Sequence, residues 1–178
     1  MMMRNCRISS IVCWSGDDME RVNKIWRHPV WKQQMEHLAE YEKNRIFCRH
    51  GMDHLMDVAR IAYIENLEKN CGISKEIIYG AALLHDIGRY LQYTEGIPHE
   101  KAGEDLAEEI LKDSGFTGEE QIEILEAIAR HRDKDIGEDS RLAGILYRAD
   151  KKSRLCGFCP AEPDCNWSEE KKNMLISV

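Results

Sequence analysis

The sequence predicts an all-α fold. Apolar residues recur at three- and four-residue spacing along most of the 178-residue chain. No stretch alternates apolar and polar residues as a half-buried strand does. Proline is rare, with four residues, and the glycines punctuate the helical stretches.

The elements follow in order. Residues 1–17 carry no clear pattern and are read as an arm. Asp17 or Asp18 is placed to cap a helix over residues 19–27. His28-Pro29 breaks it, and a second helix runs to about Arg45 on the stripe Val30, Trp31, Met35, Leu38 and Tyr41. His28 and His37 have no ligand spacing around them and are read as structural. A third helix spans about 51–70, with Leu55, Val58, Ile61 and Ala62 inward and Cys71-Gly72 at its end. Ser74 is placed to cap the next helix, which carries the central stretch. After the loop Thr94-Glu95-Gly96-Ile97-Pro98, one helix runs from His99 to Gly115 on Ala102, Leu106 and Ile110. Thr117 and Glu120 form a capping box for a helix with Ile124, Leu125 and Ile128 inward. A polar loop covers 133–139. The last long helix starts at Asp139 or Ser140 and buries Leu142, Ile145, Leu146 and Ala149. The division expected is an N-terminal arm with packing helices over 1–45, a central domain over 46–155, and a cysteine-containing tail over 156–178.

Composition narrows the class. Apolar content is 43% and charged content 32%, as in a soluble globular protein. A net charge of -7 argues against a bulk grip on a nucleic acid polymer or an anionic membrane, and leaves room for a small ligand in a local basic pocket. No apolar run is long enough to span a bilayer. Seven cysteines, an odd number without a secretory signal, fit reduced thiols in a cytoplasm.

The chain is organised around Leu83-Leu84-His85-Asp86-Ile87-Gly88. The apolar run Ala81-Ala82-Leu83-Leu84 marks this stretch as buried. A His and an Asp buried side by side each need a strong partner, and a metal ion serves both. Imidazole with carboxylate suits Fe, Mn, Zn, Co or Mg. Gly88 lets the backbone leave the helical path or approach a ligand closely. Further ligand-type residues fall on inward helix faces. His54 lies four residues before Val58, and His99, His131 and Asp150 continue the apolar stripes of their own helices. His50 lies one turn before His54. The pair could hold an ion alone, but the favoured reading is His54 as ligand and His50 as neighbour. Four imidazoles and two carboxylates buried without a cation would need many matched hydrogen bonds; two divalent ions would satisfy all six.

This ordered set resembles the HD-domain superfamily of metal-dependent hydrolases. The matching pieces are His54-x-x-x-Val58-Ala59, Leu83-Leu84-His85-Asp86-Ile87-Gly88-Arg89, His99 before Ala102-Gly103, Ile128-x-x-His131 and Ala149-Asp150-Lys151. The resemblance implies a helical bundle around a buried metal site. It places one ion on His54, His85, Asp86 and Asp150, and a second on Asp86 as bridge with His99 and His131. Many dinuclear relatives have adjacent histidines where this chain has His131-Arg132. The Gly-Tyr-Pro signature of cyclic-di-GMP phosphodiesterases is absent.

The activity implied is metal-dependent hydrolysis of a small phosphorylated substrate, a nucleotide or dinucleotide, as in bacterial dinucleoside-polyphosphate hydrolase-like members. Two close ions activate water, neutralise phosphoryl oxygens and stabilise the leaving oxygen. Basic residues gather near the ligands in sequence: Arg89, Lys101, Arg130, Arg132, Lys151, Lys152 and Arg154. Arg89, Arg132 and Lys151 are the expected phosphate contacts, acting with Asp86 in catalysis. Two other readings share the ligand set: a di-iron HD-type oxygenase of a polyol or phosphonate, and a non-catalytic signalling or binding domain. A homodimer is compatible with the sequence. Finally, Cys156-x-x-Cys159-x5-Cys165 offers three corners of a structural zinc site, with Cys48 or a residue of the N-terminal arm as the fourth.

Overall fold

The structure, a computed structural model, describes residues 19–176. Among these, nine α-helices follow one another and no strand forms. They are α1 (Glu20–Arg27), α2 (Pro29–Glu42), α3 (Met52–Glu68), α4 (Lys75–Leu84), α5 (Arg89–Glu95), α6 (His99–Ala102), α7 (Glu104–Ser114), α8 (Gly118–Arg130) and α9 (Leu142–Lys152).

α4 is the central rod. Its sequence Ile77-Ile78-Tyr79-Gly80-Ala81-Ala82-Leu83-Leu84 is apolar almost all round, and such a helix must be covered on every side. It packs against α3, α8, α1 and α9, while α3 and α8 also pack on α9. Ile78, Leu83 and Leu84 are buried with Leu55, Val58, Ile124, Ile128, Ile145 and Leu146 in one continuous core. Val22, Ile25 and Trp31 belong to the same core, so α1 and α2 close it from the N-terminal side. Trp31 adds a polar tie: its indole N–H donates to the Leu83 carbonyl at 3.0 Å. That bond fixes the chain two residues before His85.

Several expected boundaries shift. The capping role of Asp17 or Asp18, and the arm itself, lie outside the described residues. α2 ends at Glu42, short of Arg45, and Tyr41 of its expected stripe is exposed while Glu42 is buried. Ser74 stands at the start of α4 but its side chain makes no capping bond. α9 begins at Leu142, and the Asp139 carboxylate accepts the Arg141 backbone N–H just before it. The Thr117–Glu120 capping box forms in both directions.

The expected helix from His99 to Gly115 is two helices, α6 and α7, separated at Gly103. The cause is a close backbone crossing. A Cβ on Gly88 would run into the His99 carbonyl oxygen and the Gly103 backbone nitrogen. Gly88 has φ -82°, so it is needed for this approach and not for a left-handed turn. The crossing sets α6 directly beside the His85–Gly88 stretch.

The tail has short 3-10 turns at Cys156–Phe158, Glu162–Asp164 and Glu169–Lys171. Hydrogen bonds pin it. The Asn173 amide donates to the carbonyls of Lys151 and Arg154, and Gly157 N–H donates to the Asn173 carbonyl. Among the described residues, no helix is long and apolar enough to cross a membrane.

Candidate metal centre

His54 projects from α3, His85 ends α4, and Asp86 follows in the turn leading to α5. His99 opens α6, His131 ends α8, and Asp150 lies on α9. All six are buried. Their side chains converge. His54 Nε2 lies 3.5 Å from Asp86 Oδ2 and 3.4 Å from Asp150 Oδ1. His85 Nε2 lies 3.3 and 3.8 Å from the same two oxygens. The other Asp86 oxygen, Oδ1, faces His99 Nε2 at 3.2 Å. His99 Nε2 and His131 Nε2 lie 2.9 Å apart. Two ligand triads result, His54-His85-Asp86 and Asp86-His99-His131, and Asp86 belongs to both.

The far side of each ring fixes its tautomer. His85 Nδ1–H donates to the Ala82 carbonyl at 2.8 Å, and His131 Nδ1–H to the Ile128 carbonyl at 2.6 Å. His99 Nδ1–H donates to Gln92 Oε1 at 2.6 Å, an oxygen that also accepts from Arg89. His54 Nδ1–H donates to Ser153 Oγ at 3.1 Å, and that hydroxyl donates onward to the Asp150 carbonyl. All four rings therefore aim an Nε2 lone pair at the carboxylates. Metal-binding histidines are held in this way from behind.

Without a cation this set is electrostatically incomplete. His85 Nε2 and Asp86 Oδ2 are buried with no hydrogen-bond partner. Burial opposes ionisation of Asp86, but His85 and Arg89 beside it hold it well below the usual carboxylate range. Burial likewise opposes ionisation of Asp150, and His54 and Lys151 hold it down. Burial disfavours a charge on His85, yet the Asp86 carboxylate raises its pKa above the ordinary value. The cavity thus attracts positive charge. Oxygen and imidazole donors in this number fit a divalent ion of the Mn, Fe, Co or Zn kind.

The expected phosphate contacts behave differently from one another. Arg89 donates to Asp86 Oδ1 at 2.7 Å, and its Nε–H is buried without a partner. Lys151 pairs with Asp150 Oδ2. Arg132 is half exposed and pairs with Glu100 at 3.5 Å. All three line an open pocket of about 990 Å³ that also reaches His50, His131 and Asp150. Tail residues Trp167 and Asn173 form part of its wall.

Some neighbours escaped the sequence reading. The buried Glu42 accepts from the His50 backbone N–H at 2.8 Å, from His50 Nδ1 at 2.6 Å and from the Tyr93 hydroxyl at 2.7 Å. Its position carried a signal, since Glu42 lies one helical turn beyond Leu38 on the face that also buries Trp31. Ser153 carried a weak signal, since it lies one helical turn beyond Asp150. Arg154 is one of several basic residues near the ligands in sequence, with no pattern that sets it apart. It is buried, and its Nη2 lies 3.0 Å from His54 Nε2.

The cysteine expectation is not met as a converged site. Cys48, Cys156, Cys159 and Cys165 line the same pocket. Among the described residues, however, no three of their sulfurs come within metal-sharing distance of one another. The tail is closed by the Asn173 and Gly157 hydrogen bonds and by Lys172, which pairs with Glu162 and Glu169. These bonds hold the tail against the end of α9. Burial pushes the Cys48 thiol pKa up.

Residues 51–155 match the family model of the HD domain. An uncharacterized protein of Clostridium beijerinckii (strain ATCC 51743 / NCIMB 8052) is 45% identical over 159 residues, which is 89% of this chain and 99% of that protein. Ribonuclease Y of Oleidesulfovibrio alaskensis is 29% identical over 126 residues, 71% of this chain. The match spans 22% of that longer protein. A crystal structure of a predicted HD superfamily hydrolase from an uncultured Thermotogales bacterium superposes with a TM-score of 0.59 at 23% identity, over 82% of this chain and 80% of the other.

Proposed function

The chain belongs to the HD-domain family, and from that premise we propose that it is a metal-dependent phosphohydrolase of a small phosphorylated substrate, a nucleotide or dinucleotide. One observation carries the reading: four imidazole Nε2 lone pairs and two ionised carboxylates meet beside a pocket bordered by arginine and lysine. The donor set suits divalent cations, and the border suits phosphate.

In this reading His54, His85, Asp86 and Asp150 would hold one ion, and Asp86, His99 and His131 would hold a second. Bound there, the ions supply Lewis acidity toward a phosphoryl oxygen and toward the attacking water. The protein supplies the rest. Asp86 joins the two positions because its oxygens face opposite ways. Ala82, Ile128, Gln92 and Ser153 keep the rings in one tautomer and orientation. Arg89 braces Asp86 and lines the pocket where the phosphate would sit. Lys151 and Arg132, both more exposed, draw the anion toward the pocket.

The relative named as a ribonuclease would break a phosphodiester, which is the same phosphorus chemistry. The net charge of -7 favours a small substrate over a polymer here. The test is metal analysis of anaerobically purified protein, followed by a panel of nucleotides, dinucleoside polyphosphates, simple phosphoesters and an oligoribonucleotide. Release of phosphate or nucleotide that chelator abolishes is the expected result. Metal-replete protein inactive on the whole panel, but consuming O₂ with a polyol or phosphonate, would overturn it in favour of an oxygenase.

A further inference from the structure

Arg154 sits where neither the ligand set nor the expected phosphate contacts account for it. Its guanidinium is buried, and its Nη1–H donates to the Arg49 carbonyl at 2.8 Å. Its Nη2 lies 3.0 Å from His54 Nε2. A guanidinium has only donors, so His54 Nε2 accepts this bond. The Ser153 relay agrees, because it leaves the His54 proton on Nδ1 and the lone pair on Nε2. That lone pair is the one an ion would need. It faces Asp86 Oδ2 and Asp150 Oδ1 at 3.5 and 3.4 Å, and Arg154 itself comes within 4.0 Å of Asp150.

We propose that Arg154 is a placeholder cation that becomes an anion-binding residue. Its charge offsets the two carboxylates and its N–H occupies His54. One lone pair serves one partner, so an ion on His54 must displace Nη2. The anchor to the Arg49 carbonyl holds the displaced guanidinium at the pocket, which Arg154 lines together with Arg89 and Lys151. Its freed N–H then faces the pocket, where a phosphoryl oxygen accepts it. This assignment rests on the metal-dependent reading above and names a residue that binds its substrate's phosphate.

Titration calorimetry with Mn²⁺ on metal-free wild-type protein and on Arg154→Gln tests the first half. Losing a charge-assisted hydrogen bond to the ligand nitrogen should tighten Mn²⁺ binding by about tenfold. Inorganic phosphate titrated into the Mn²⁺-loaded proteins tests the second half, and the variant should bind it about tenfold more weakly. Arg154→Lys keeps the charge and a donor for the Arg49 carbonyl, so it serves if the glutamine variant does not fold; it too should bind Mn²⁺ more tightly because it lacks the fork that reaches both acceptors. Mn²⁺ affinity equal to or below wild type in the folded variant overturns the placeholder role. Unchanged phosphate affinity overturns the anion role. Wild-type protein that takes up no Mn²⁺ overturns the metal-dependent reading itself, a different outcome from either.

Discussion

The Nε2 atoms of His99 and His131 lie 2.9 Å apart, each with its ring proton committed on the opposite nitrogen. Two lone pairs at that distance repel unless something positive lies between them. A proton is a poor candidate, because burial and then the neighbouring His85 push the His131 pKa down to about 3. A metal ion fits. Mn²⁺ should therefore raise the melting temperature in a concentration-dependent way, as a ligand that binds only the folded state does. His131→Ala should keep one ion and lose the other, read by metal analysis of the purified variant.

Asp86 has the stricter role. Its oxygens face separate triads, so Asp86→Ala should lose both ions where Asp150→Ala weakens one. Metal stoichiometry on the two variants checks this. An Asp86→Ala protein that still holds two ions would remove the bridging assignment.

Gly88 is a packing requirement. A methyl group there meets the backbone of His99 and Gly103, which have no free rotamer to move. Gly88→Ala should destabilise by about 1–3 kcal/mol, the usual cost of overpacking. Urea unfolding measures it, and metal affinity should fall as well, since the displaced α6 carries His99.

The Thr117 cap is separable from the site. Thr117→Ala removes the acceptor for the Glu120 backbone N–H and should cost about 1 kcal/mol. Metal content should not change, because α8 carries His131 at its opposite end.

Glu42 makes stability depend on acid pH. Burial alone would raise its pKa, but bonds from His50 and Tyr93 overcome that and hold it at about 2, below the unfolded value of 4.5. The carboxylate's contribution is full above pH 4.5 and is lost as the pH falls through about 2. Glu42→Gln removes this titration. Its unfolding free energy, measured by denaturant between these limits, should fall less steeply with acid than that of wild type. Parallel curves would mean that the Glu42–His50 pair does not couple to folding.

The all-α class and the HD-domain membership were legible in the sequence, because both depend on local pattern. Helical period marks which face is inward, and ligand-type residues on those faces show through as exceptions to an apolar stripe. The Thr117 cap was readable for the same reason, since it depends on two residue types three positions apart. At Gly88 the sequence points only to a departure from the helical path or a close approach to a ligand; that the approach is to the backbone of His99 and Gly103 is decided by the fold. What the tertiary structure decided are relations between distant segments. Glu42, one helical turn after Leu38, lies on the inward face of α2, but the fold supplies its partner: His50, beyond the end of α2, offers it two N–H groups. The helix at His99 splits only because Gly103 meets Gly88 across the fold. Arg154 is one basic residue among several along the chain, and its contact with His54, a hundred positions away, singles it out. Periodicity records how each segment meets the core, whereas such pairings depend on where packing sets one backbone against another.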